Sequence, residues 1–215
     1  MSLQEICLIR HGETEWSLTG KHTGVSDIPL TEYGREAARR LKPELAKKHF
    51  DIVLTSPLQR ARVTCELAGL GTRAQVDPDL LEWRYGAYEG LTPDEIHASR
   101  PAWMIFRDGC PDGETPEQVG ARVDRVIAKI RLHGGTAALF SHGHLLRVLG
   151  ARWLGLPTAA GSHFLLDTAT LSVLSSYHGT PAVRRWNASL MGVRRERTHL
   201  QELEKTGQTI AEEPV

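Results

Sequence analysis

Short runs of apolar residues recur along the chain, and each ends at a polar turn. Runs that show no alternation of polar and apolar positions are typical of strands buried on both faces of a parallel sheet. The turns that follow them carry arginine, histidine and serine. The clearest runs cover residues 6–9, 51–55 and 136–140, and further strands are predicted at 164–166 and 170–175.

Between these runs, apolar residues recur at helical spacing. Residues 31–46 place apolar side chains four positions apart, with Pro43 as a candidate kink. Thr115 begins a capping box followed by a proline, which predicts a helix up to residue 133. Two more helices are expected to begin at serine caps, at Ser56 and at Ser141.

Strands that alternate with helices predict an α/β fold. We expect a single domain over residues 1–192, built as a three-layer αβα sandwich with a mostly parallel central sheet. A length of 215 residues suits one hydrophobic core, and no linker interrupts the pattern. Residues 193–215 are charged and poor in large apolar side chains, so we expect a frayed or disordered tail there.

Composition narrows the choice of partners and location. Lys plus Arg and Asp plus Glu number 26 each, so no surplus charge favours nucleic acid or anionic lipid as a partner. We see no apolar run long enough to cross a membrane and no secretory leader pattern. Three scattered cysteines, Cys7, Cys65 and Cys110, fit reduced thiols and a cytoplasmic location. Homo-oligomerisation stays open.

The predicted fold brings distant polar residues to one edge of the sheet. In open α/β folds, ligands bind beyond the carboxyl ends of the strands, where Arg10, His11, Arg60 and His142 are expected to meet. Helix amino termini and arginine forks both favour phosphate oxygens. The sequence therefore predicts a site for a phosphorylated small molecule.

Chemistry on a bound phosphoryl group requires a nucleophile and a proton donor. A neutral imidazole is nucleophilic, and nearby arginines disfavour its protonated form, so His11 is the candidate nucleophile. Glu82, in a turn after a short apolar stretch, is the candidate acid. Three other acids, Glu13, Glu89 and Glu114, are weaker candidates because each can serve as a cap or turn partner. We find neither a nucleotide-binding loop nor an acidic magnesium motif, and expect no cofactor and no metal.

Five ordered blocks of the chain resemble the histidine phosphatase superfamily, also called the phosphoglycerate-mutase-like family. The resemblance covers residues 3–190, and five blocks in order are far more specific than an isolated Arg-His-Gly. The blocks are residues 8–14 (LIRHGET), 23–31 (TGVSDIPLT), 56–61 (SPLQRA), 81–90 (LEWRYGAYEG) and 141–143 (SHG).

The resemblance implies a role for each matching position. His11 becomes a transient phosphohistidine and Glu82 donates the proton to the leaving group. Thr23 and Gly24 line the substrate entrance. Position 17 is commonly asparagine in the family, whereas this chain has Ser17, which implies a shorter or water-mediated phosphate contact. The residues that hold the phosphoryl oxygens are Arg10, Arg60 and His142.

Other positions favour a phosphatase over a mutase. Phosphoglycerate mutases usually read Glu-Arg-His-Tyr-Gly after the acid and His-Gly-Asn-Ser-Leu-Arg at the second histidine, and this chain differs at both. Three segments resemble the sedoheptulose-1,7-bisphosphatase branch: Trp16-Ser17, residues 84–86 and residues 103–115. If a second phosphate is bound there, Arg84, Arg107 and His144 are candidate ligands for the far end of a sugar phosphate.

Three alternatives remain open to the sequence. The chain can be a cofactor-dependent phosphoglycerate mutase. It can also be a metal-dependent hydrolase that uses His142 and His144, although a closed metal site needs three or four ligands. The last alternative is a non-catalytic module that only binds phosphorylated ligands.

Overall fold

A computed structural model describes residues 3–190 as one domain around a six-stranded sheet. The strand order is β3-β2-β4-β1-β5-β6, and β1 to β4 run parallel while β5 and β6 are antiparallel to their neighbours. The mostly parallel sheet is therefore confirmed. The strands are β1 (Leu3–Arg10), β2 (Ile52–Thr55), β3 (Ala74–Val76), β4 (Gly135–Ser141), β5 (Thr170–Tyr177) and β6 (Thr180–Ser189).

Seven α-helices connect and cover these strands within the described range. The helices are α1 (Glu15–Leu18), α2 (Glu32–Leu45), α3 (Gln59–Leu67), α4 (Pro93–Ser99), α5 (Ile105–Asp108), α6 (Pro116–His133) and α7 (Gly143–Trp153). Thr31 caps α2 and Thr115 caps α6 through a capping box, as the sequence predicts. Pro43 lies in the last turn of α2. None of the described helices is long and apolar enough to cross a membrane.

Successive residues of β1 belong to two different hydrophobic clusters, because side chains of a strand alternate between the faces of its sheet. Ile6 and Leu8 pack in a cluster with α6 and α7. Cys7 and Ile9 pack in a second cluster with α2 and α3. All four side chains are inaccessible to solvent. Helices therefore cover both faces, and the predicted three-layer αβα architecture is confirmed.

The register between β1 and β4 positions the polar turns. The Cα atoms of Arg10 and Ser141 are paired, so the residues that follow, His11 and His142, lie side by side at the carboxyl edge. The amide of His11 donates to the carbonyl of Ser141 over 2.9 Å. Strand β2 lies on the other side of β4 and brings Ser56 to the same edge, where its amide donates to Phe140 over 2.9 Å.

Two predicted helix caps are wrong. Ser141 is the last residue of β4, and its hydroxyl donates to the carbonyl of Leu80 over 2.7 Å, so α7 begins only after His142. Ser56 precedes α3 by three positions, and the cap of α3 is Leu58, which has no side-chain hydrogen bond. Both serines satisfy partners that are distant in sequence, which a local capping pattern does not reveal.

The prediction of the later strands is correct in part. The strand predicted at 170–175 is confirmed by β5, but residues 164–166 form no strand. Their carbonyl groups accept side-chain donors instead: Leu165 from Trp186 Nε1 over 2.6 Å and Leu166 from Arg10 Nη1. Strands β3 and β6 are not predicted by the hydrophobic pattern, because both lie at sheet edges, where burial imposes little pattern. The predicted tail at 193–215 lies outside the described residues.

Candidate active site

His11 is the first residue after β1, and only 5% of its surface is exposed. Its Nδ1 lies 2.7 Å from the carbonyl oxygen of Gly12, so Nδ1 carries the proton of the neutral ring and Nε2 has a free lone pair. Burial lowers the pKa of His11 well below its ordinary value, and the charges of Arg60 and Arg10 lower it further. The ring is therefore neutral at physiological pH and has a defined nucleophilic nitrogen.

Close backbone packing fixes the position of His11. The amide of Gly12 donates to Thr64 Oγ1 over 3.0 Å, which ties the turn after β1 to α3. A Cβ atom at Gly12 would lie 2.5 Å from the carbonyl oxygen of Gly34 in α2. Only glycine allows this approach, so the Arg-His-Gly motif has a structural reason for its third residue.

Arg60 lies in the first turn of α3 and is fully buried. Its Nη2 donates to the carbonyls of Thr23 and Gly24 over 2.9 and 3.0 Å. Its Nη1 donates to Ser26 over 2.8 Å, and its Nε donates to Nδ1 of His142 over 3.1 Å. A guanidinium group has five N–H donors, so these bonds leave a single N–H, on Nη1, for a further acceptor.

Arg10, at the end of β1, has more free donor capacity. Its Nη1 donates to the carbonyl of Leu166, whereas its Nε is buried and has no hydrogen-bond partner among residues 3–190. A Cβ atom at Gly143 would lie 3.3 Å from this Nε and 3.7 Å from Glu82 Oε2, so both groups lie against the start of α7. An unpaired buried N–H is costly. Arg10 therefore has a buried N–H available for an acceptor, and its contact with a phosphoryl oxygen stays a prediction.

His142 packs against the predicted nucleophile. The ring centroids of His11 and His142 are 5.2 Å apart at an interplanar angle of 59°. Nδ1 of His142 accepts from Arg60, so Nε2 carries the proton and donates to Ser56 Oγ over 2.7 Å. Burial lowers the pKa of His142 well below its ordinary value, with Arg60 adding to the effect. Ser56, whose side chain was predicted to cap a helix, instead accepts a hydrogen bond from His142 at the edge of the sheet.

The carboxylate of Glu82 is buried at the amino terminus of α7. Oε1 accepts the amides of Trp83 and Leu145, both over 2.9 Å. Oε2 accepts the amide of His144 over 3.0 Å, and like Arg10 Nε it lies against Gly143 at the start of α7. The amide of the neighbouring residue and two amides of the first turn of α7 together orient this carboxylate. With one amide bond on Oε2, a lone pair remains there for a proton.

The loop at 23–26 contains the predicted entrance residues. The carbonyls of Thr23 and Gly24 bind Arg60, and the amide of Gly24 donates to Glu89 Oε1 over 2.9 Å. The hydroxyl of Thr23 donates to the carbonyl of Lys21 over 3.1 Å. The loop therefore packs directly on the guanidinium group, and its role toward a substrate stays a prediction.

The hydroxyl of Ser17 is engaged within its own helix turn. It accepts the amide of Thr14 and donates to the carbonyl of Thr14, both over 2.9 Å, in the capping box of α1. Its single proton is used in this bond. These contacts give a local structural role to Ser17 and leave its predicted phosphate contact without support from the geometry.

The cations predicted for a distal phosphate are not gathered in one place. Arg107 is exposed and pairs with Asp108, its Nε and Nη2 each donating over 2.8 Å. Arg84 is exposed, and its backbone binds Glu114. Arg147 in α7 was not among the predicted cations. Burial lowers the pKa of Arg147 to about 10, and the like charge of nearby Arg10 lowers it further.

Arg147 is a cation held over an aromatic ring. Its guanidinium carbon lies 4.5 Å from the ring centroid of Phe106. Nε and Nη2 donate to the carbonyls of Gly161 and Ser162 over 3.1 and 3.2 Å. A signal for this residue is present in the sequence, because Arg147 falls on the arginine that ends the His-Gly-Asn-Ser-Leu-Arg pattern quoted above.

His144 belongs to a group of aromatic and imidazole rings. Its Nδ1 lies 2.6 Å from the hydroxyl of Tyr85, and its ring stacks on His22 with centroids 5.9 Å apart and an angle of 12°. Burial lowers the pKa of His144 well below its ordinary value and also lowers the pKa of His22. His22 was not predicted from the sequence, because nothing in its local motif marks it.

The weaker acid candidates have structural partners. Glu13 Oε1 accepts the hydroxyl of Thr31 over 2.8 Å. Glu114 forms a buried ion pair with Arg122, whose Nε and Nη2 donate over 3.1 and 2.9 Å. Both carboxylates are therefore engaged in holding other parts of the chain, whereas Glu82 lies with Arg10 against Gly143 at the start of α7. Glu82 remains the candidate acid.

The contacts of the two histidines do not favour a metal site. Both ring nitrogens of His142 are hydrogen-bonded, and Nδ1 of His144 bonds to Tyr85. Within residues 3–190 no group of three or more His, Cys, Asp and Glu side chains is arranged to hold a metal ion.

Comparison with known proteins gives consistent matches over most of the chain. Residues 6–189 match the family model described as histidine phosphatase superfamily (branch 1). An acid phosphatase of Mycobacterium tuberculosis is 42% identical over 178 residues, covering 81% of this chain and 87% of that protein. The sedoheptulose 1,7-bisphosphatase of Saccharomyces cerevisiae is 40% identical over 188 residues, covering 72% and 69%. A solved structure of an open reading frame product of Mycobacterium tuberculosis superposes with a TM-score of 0.84 at 38% identity, covering 87% and 99%.

Proposed function

This chain belongs to the histidine phosphatase superfamily, branch 1, and on that premise we propose how its residues hydrolyse a phosphomonoester of a small metabolite. The observation that carries the proposal is the state of His11. Its ring is neutral and buried, its tautomer is set by Gly12, and Nε2 is free beside two arginines. Such an imidazole is prepared to attack phosphorus.

The first step forms a phosphohistidine. Nε2 of His11 donates its lone pair to phosphorus, and the bond between phosphorus and the ester oxygen breaks. The leaving oxygen takes the electron pair of that bond together with a proton from Glu82 Oε2. The alcohol departs and Glu82 is left as a carboxylate.

The second step regenerates the enzyme. Glu82 accepts a proton from a water molecule as the water oxygen bonds to phosphorus. The bond between phosphorus and Nε2 breaks, inorganic phosphate is released and His11 regains its lone pair. Glu82 thus acts first as acid and then as base, which returns it to its starting state.

Arg10 and Arg60 stabilise the phosphoryl oxygens during both steps. Arg10 offers its unpaired Nε–H, and Arg60 offers the remaining N–H of Nη1. At 4 Å and an effective dielectric of 20, one such charge pair attracts by about 4 kcal/mol before desolvation is subtracted. His142 keeps Arg60 in position through its Nδ1, and its Nε2–H, which donates to Ser56 Oγ in this structure, is the donor that it offers to the phosphoryl group.

The relatives favour a sugar phosphate or bisphosphate as substrate. One similar protein is named a sedoheptulose 1,7-bisphosphatase and another an acid phosphatase. In this chain Arg147 and His144 supply a cation and a ring nitrogen near Arg10, suited to the phosphate and hydroxyl groups of such a molecule. The other proposed substrate contacts are Thr23, Gly24, Ser17, Arg84 and Arg107.

The state of the cysteines bears on the cellular location of the protein. All three cysteines are free, and burial raises the pKa of Cys7 to about 11 and the pKa of Cys65 to about 12, which keeps both as unreactive thiols. We place the protein in the cytoplasm, acting on a small molecule and not on nucleic acid.

A phosphate-release screen tests the proposed function. Sugar bisphosphates, phosphoglycerates and phosphoamino acids are offered to the wild-type enzyme and to His11→Ala. We expect the wild-type enzyme to hydrolyse one class of ester and the variant to hydrolyse none. After a rapid quench, acid-labile phosphate is expected on the wild-type protein and not on the variant. Turnover by His11→Ala, or conversion of 3-phosphoglycerate to its isomer without phosphate release, would contradict the assignment.

A further inference from the structure

The loop at 23–26 holds the guanidinium group of Arg60 by its carbonyl oxygens. Three of them, from Thr23, Gly24 and Ser26, accept from Nη1 or Nη2 at 2.8 to 3.0 Å. The orientation of Arg60 is therefore set by the conformation of this loop. Since only one N–H is left for a phosphoryl oxygen, a small rotation of the loop redirects the donor that the reaction needs.

The same loop is held from its other side by Glu89. Oε1 of Glu89 accepts the amides of Gly24 and Ser26 over 2.9 and 3.0 Å. The packing is close, because a Cβ atom at Gly24 would lie 2.5 Å from Glu89 Oε2 and 2.7 Å from the carbonyl oxygen of Trp83. One carboxylate oxygen thus fixes two amides whose neighbouring carbonyls bind Arg60.

We propose that Glu89 is a positioning residue, which holds the 23–26 loop so that Arg60 and its partner His142 are oriented toward the phosphoryl group. This role rests on the function proposed above. Glu89 does not need to contact the substrate or exchange a proton. It acts through two amides, three carbonyls and one guanidinium group.

The electrostatics of the site agree with this arrangement. Burial lowers the pKa of Arg60, and nearby Glu82 and Glu89 oppose the shift among other acidic groups. Oε2 of Glu89 is buried and has no hydrogen-bond partner among residues 3–190. A carboxylate oxygen without a hydrogen-bond partner is costly to bury. This one is buried because it packs against Gly24, in the loop whose amides bind Oε1.

Substitutions at Glu89 separate positioning from simple support of the fold. Gln keeps an acceptor oxygen for both amides, whereas Ala removes it and Asp shortens its reach. We expect Glu89→Ala and Glu89→Asp to lower kcat about 10- to 100-fold and to weaken inorganic phosphate binding, measured by titration calorimetry. Glu89→Gln is expected to stay within about three-fold of the wild type. Glu95→Ala is the matched control, because Glu95 also binds a backbone amide, that of Thr92, but lies exposed and away from the loop.

A double-mutant cycle tests the route through Arg60. In an Arg60→Lys background the fork is absent, so Glu89→Asp is expected to cost much less than in the wild type. Additive effects would overturn the proposal, as would a Glu89→Gln variant as impaired as Glu89→Asp. Wild-type kcat and phosphate affinity in folded Glu89→Ala would overturn it too. If the wild-type enzyme hydrolyses no ester, the proposed function fails. The role of Glu89 is then still tested by comparing the inorganic phosphate affinity of its variants with that of the wild type.

Discussion

Nε of Arg60 donates a hydrogen bond to Nδ1 of His142 over 3.1 Å, and neither side chain is exposed to solvent. This bond joins α3 to the start of α7 across 82 positions of sequence. It also determines the tautomer of His142, because an accepting Nδ1 leaves the proton on Nε2. The arginine and the second histidine therefore work as one unit beside His11.

Arg60→Lys tests this unit. A lysine carries the same charge but cannot donate to His142 and to the loop carbonyls in a fixed fork, so we expect kcat/KM to fall about 100- to 1000-fold. The unfolding midpoint and kcat/KM toward an aryl phosphate report stability and activity. Arg62→Lys is the control, since Arg62 is exposed two positions further along α3. Equal activities of the two variants would show that charge alone suffices.

The buried histidines make stability depend on pH. The pKa values of His11, His22, His142 and His144 all lie below the ordinary value of 6.5 in the folded protein. Below pH 6.5 the unfolded chain binds protons that the folded chain does not, so stability is lost as the pH falls through 6.5.

We expect urea unfolding to show a decline in stability between pH 7 and pH 5, with a slope of at most about 1.4 kcal/mol per pH unit for each histidine. His144→Phe is expected to reduce the slope, because phenylalanine cannot bind a proton in the unfolded chain. The site suits a phenylalanine ring, since His144 already packs among aromatic rings such as Phe106. His49→Gln is the control, as the side chain of His49 is 79% exposed. A slope that is unchanged in His144→Phe would contradict the prediction.

Gly34→Ala tests the backbone contact that fixes the catalytic turn. A Cβ atom at Gly34 would lie 2.3 Å from the carbonyl oxygen of Glu13, and backbone cannot move as a side chain does. In an open helix this change stabilises by about 1 kcal/mol. Here we expect the free energy of unfolding to fall by about 2 kcal/mol or more, with kcat reduced. Chemical denaturation gives the sign, and a gain in stability would disprove the contact.

Arg147→Met tests which cation serves the far end of the substrate. Methionine keeps the apolar contact with Phe106 but removes the charge. We expect kcat/KM for a sugar bisphosphate to fall about 10-fold or more, with little change for a monophosphate. Arg107→Met is measured beside it and is expected to have the smaller effect, because Asp108 already binds both of its donating nitrogens. The reverse order would restore Arg107 as the distal ligand.

Much of this architecture could be predicted from local patterns. Three apolar runs ending in polar turns gave the parallel core strands, and the capping box at Thr115 gave the start of α6. Parallel strands share one carboxyl edge, so Arg10, His11 and His142 had to meet there. The ordered motifs, compared with a known family, identified the chemistry.

Other features depended on contacts that no local pattern contains. Ser56 and Ser141 look like helix caps in sequence, but their hydroxyls bind His142 and the carbonyl of Leu80, 86 and 61 positions away. The edge strands β3 and β6 carry little burial pattern because one side of each has no neighbouring strand.

Local patterns were enough to give the fold class and to predict which residues gather at the carboxyl edge of the sheet, because apolar periodicity and short motifs are local properties of the chain. How the hydrogen-bond donors are shared became visible only in three dimensions: Arg60 binds the 23–26 loop, Arg10 has an Nε without a partner among residues 3–190, and Glu89 binds the amides of the loop. Hydrogen bonds act over about 3 Å. Partners distant in sequence can be assigned only when packing has brought their atoms within that range.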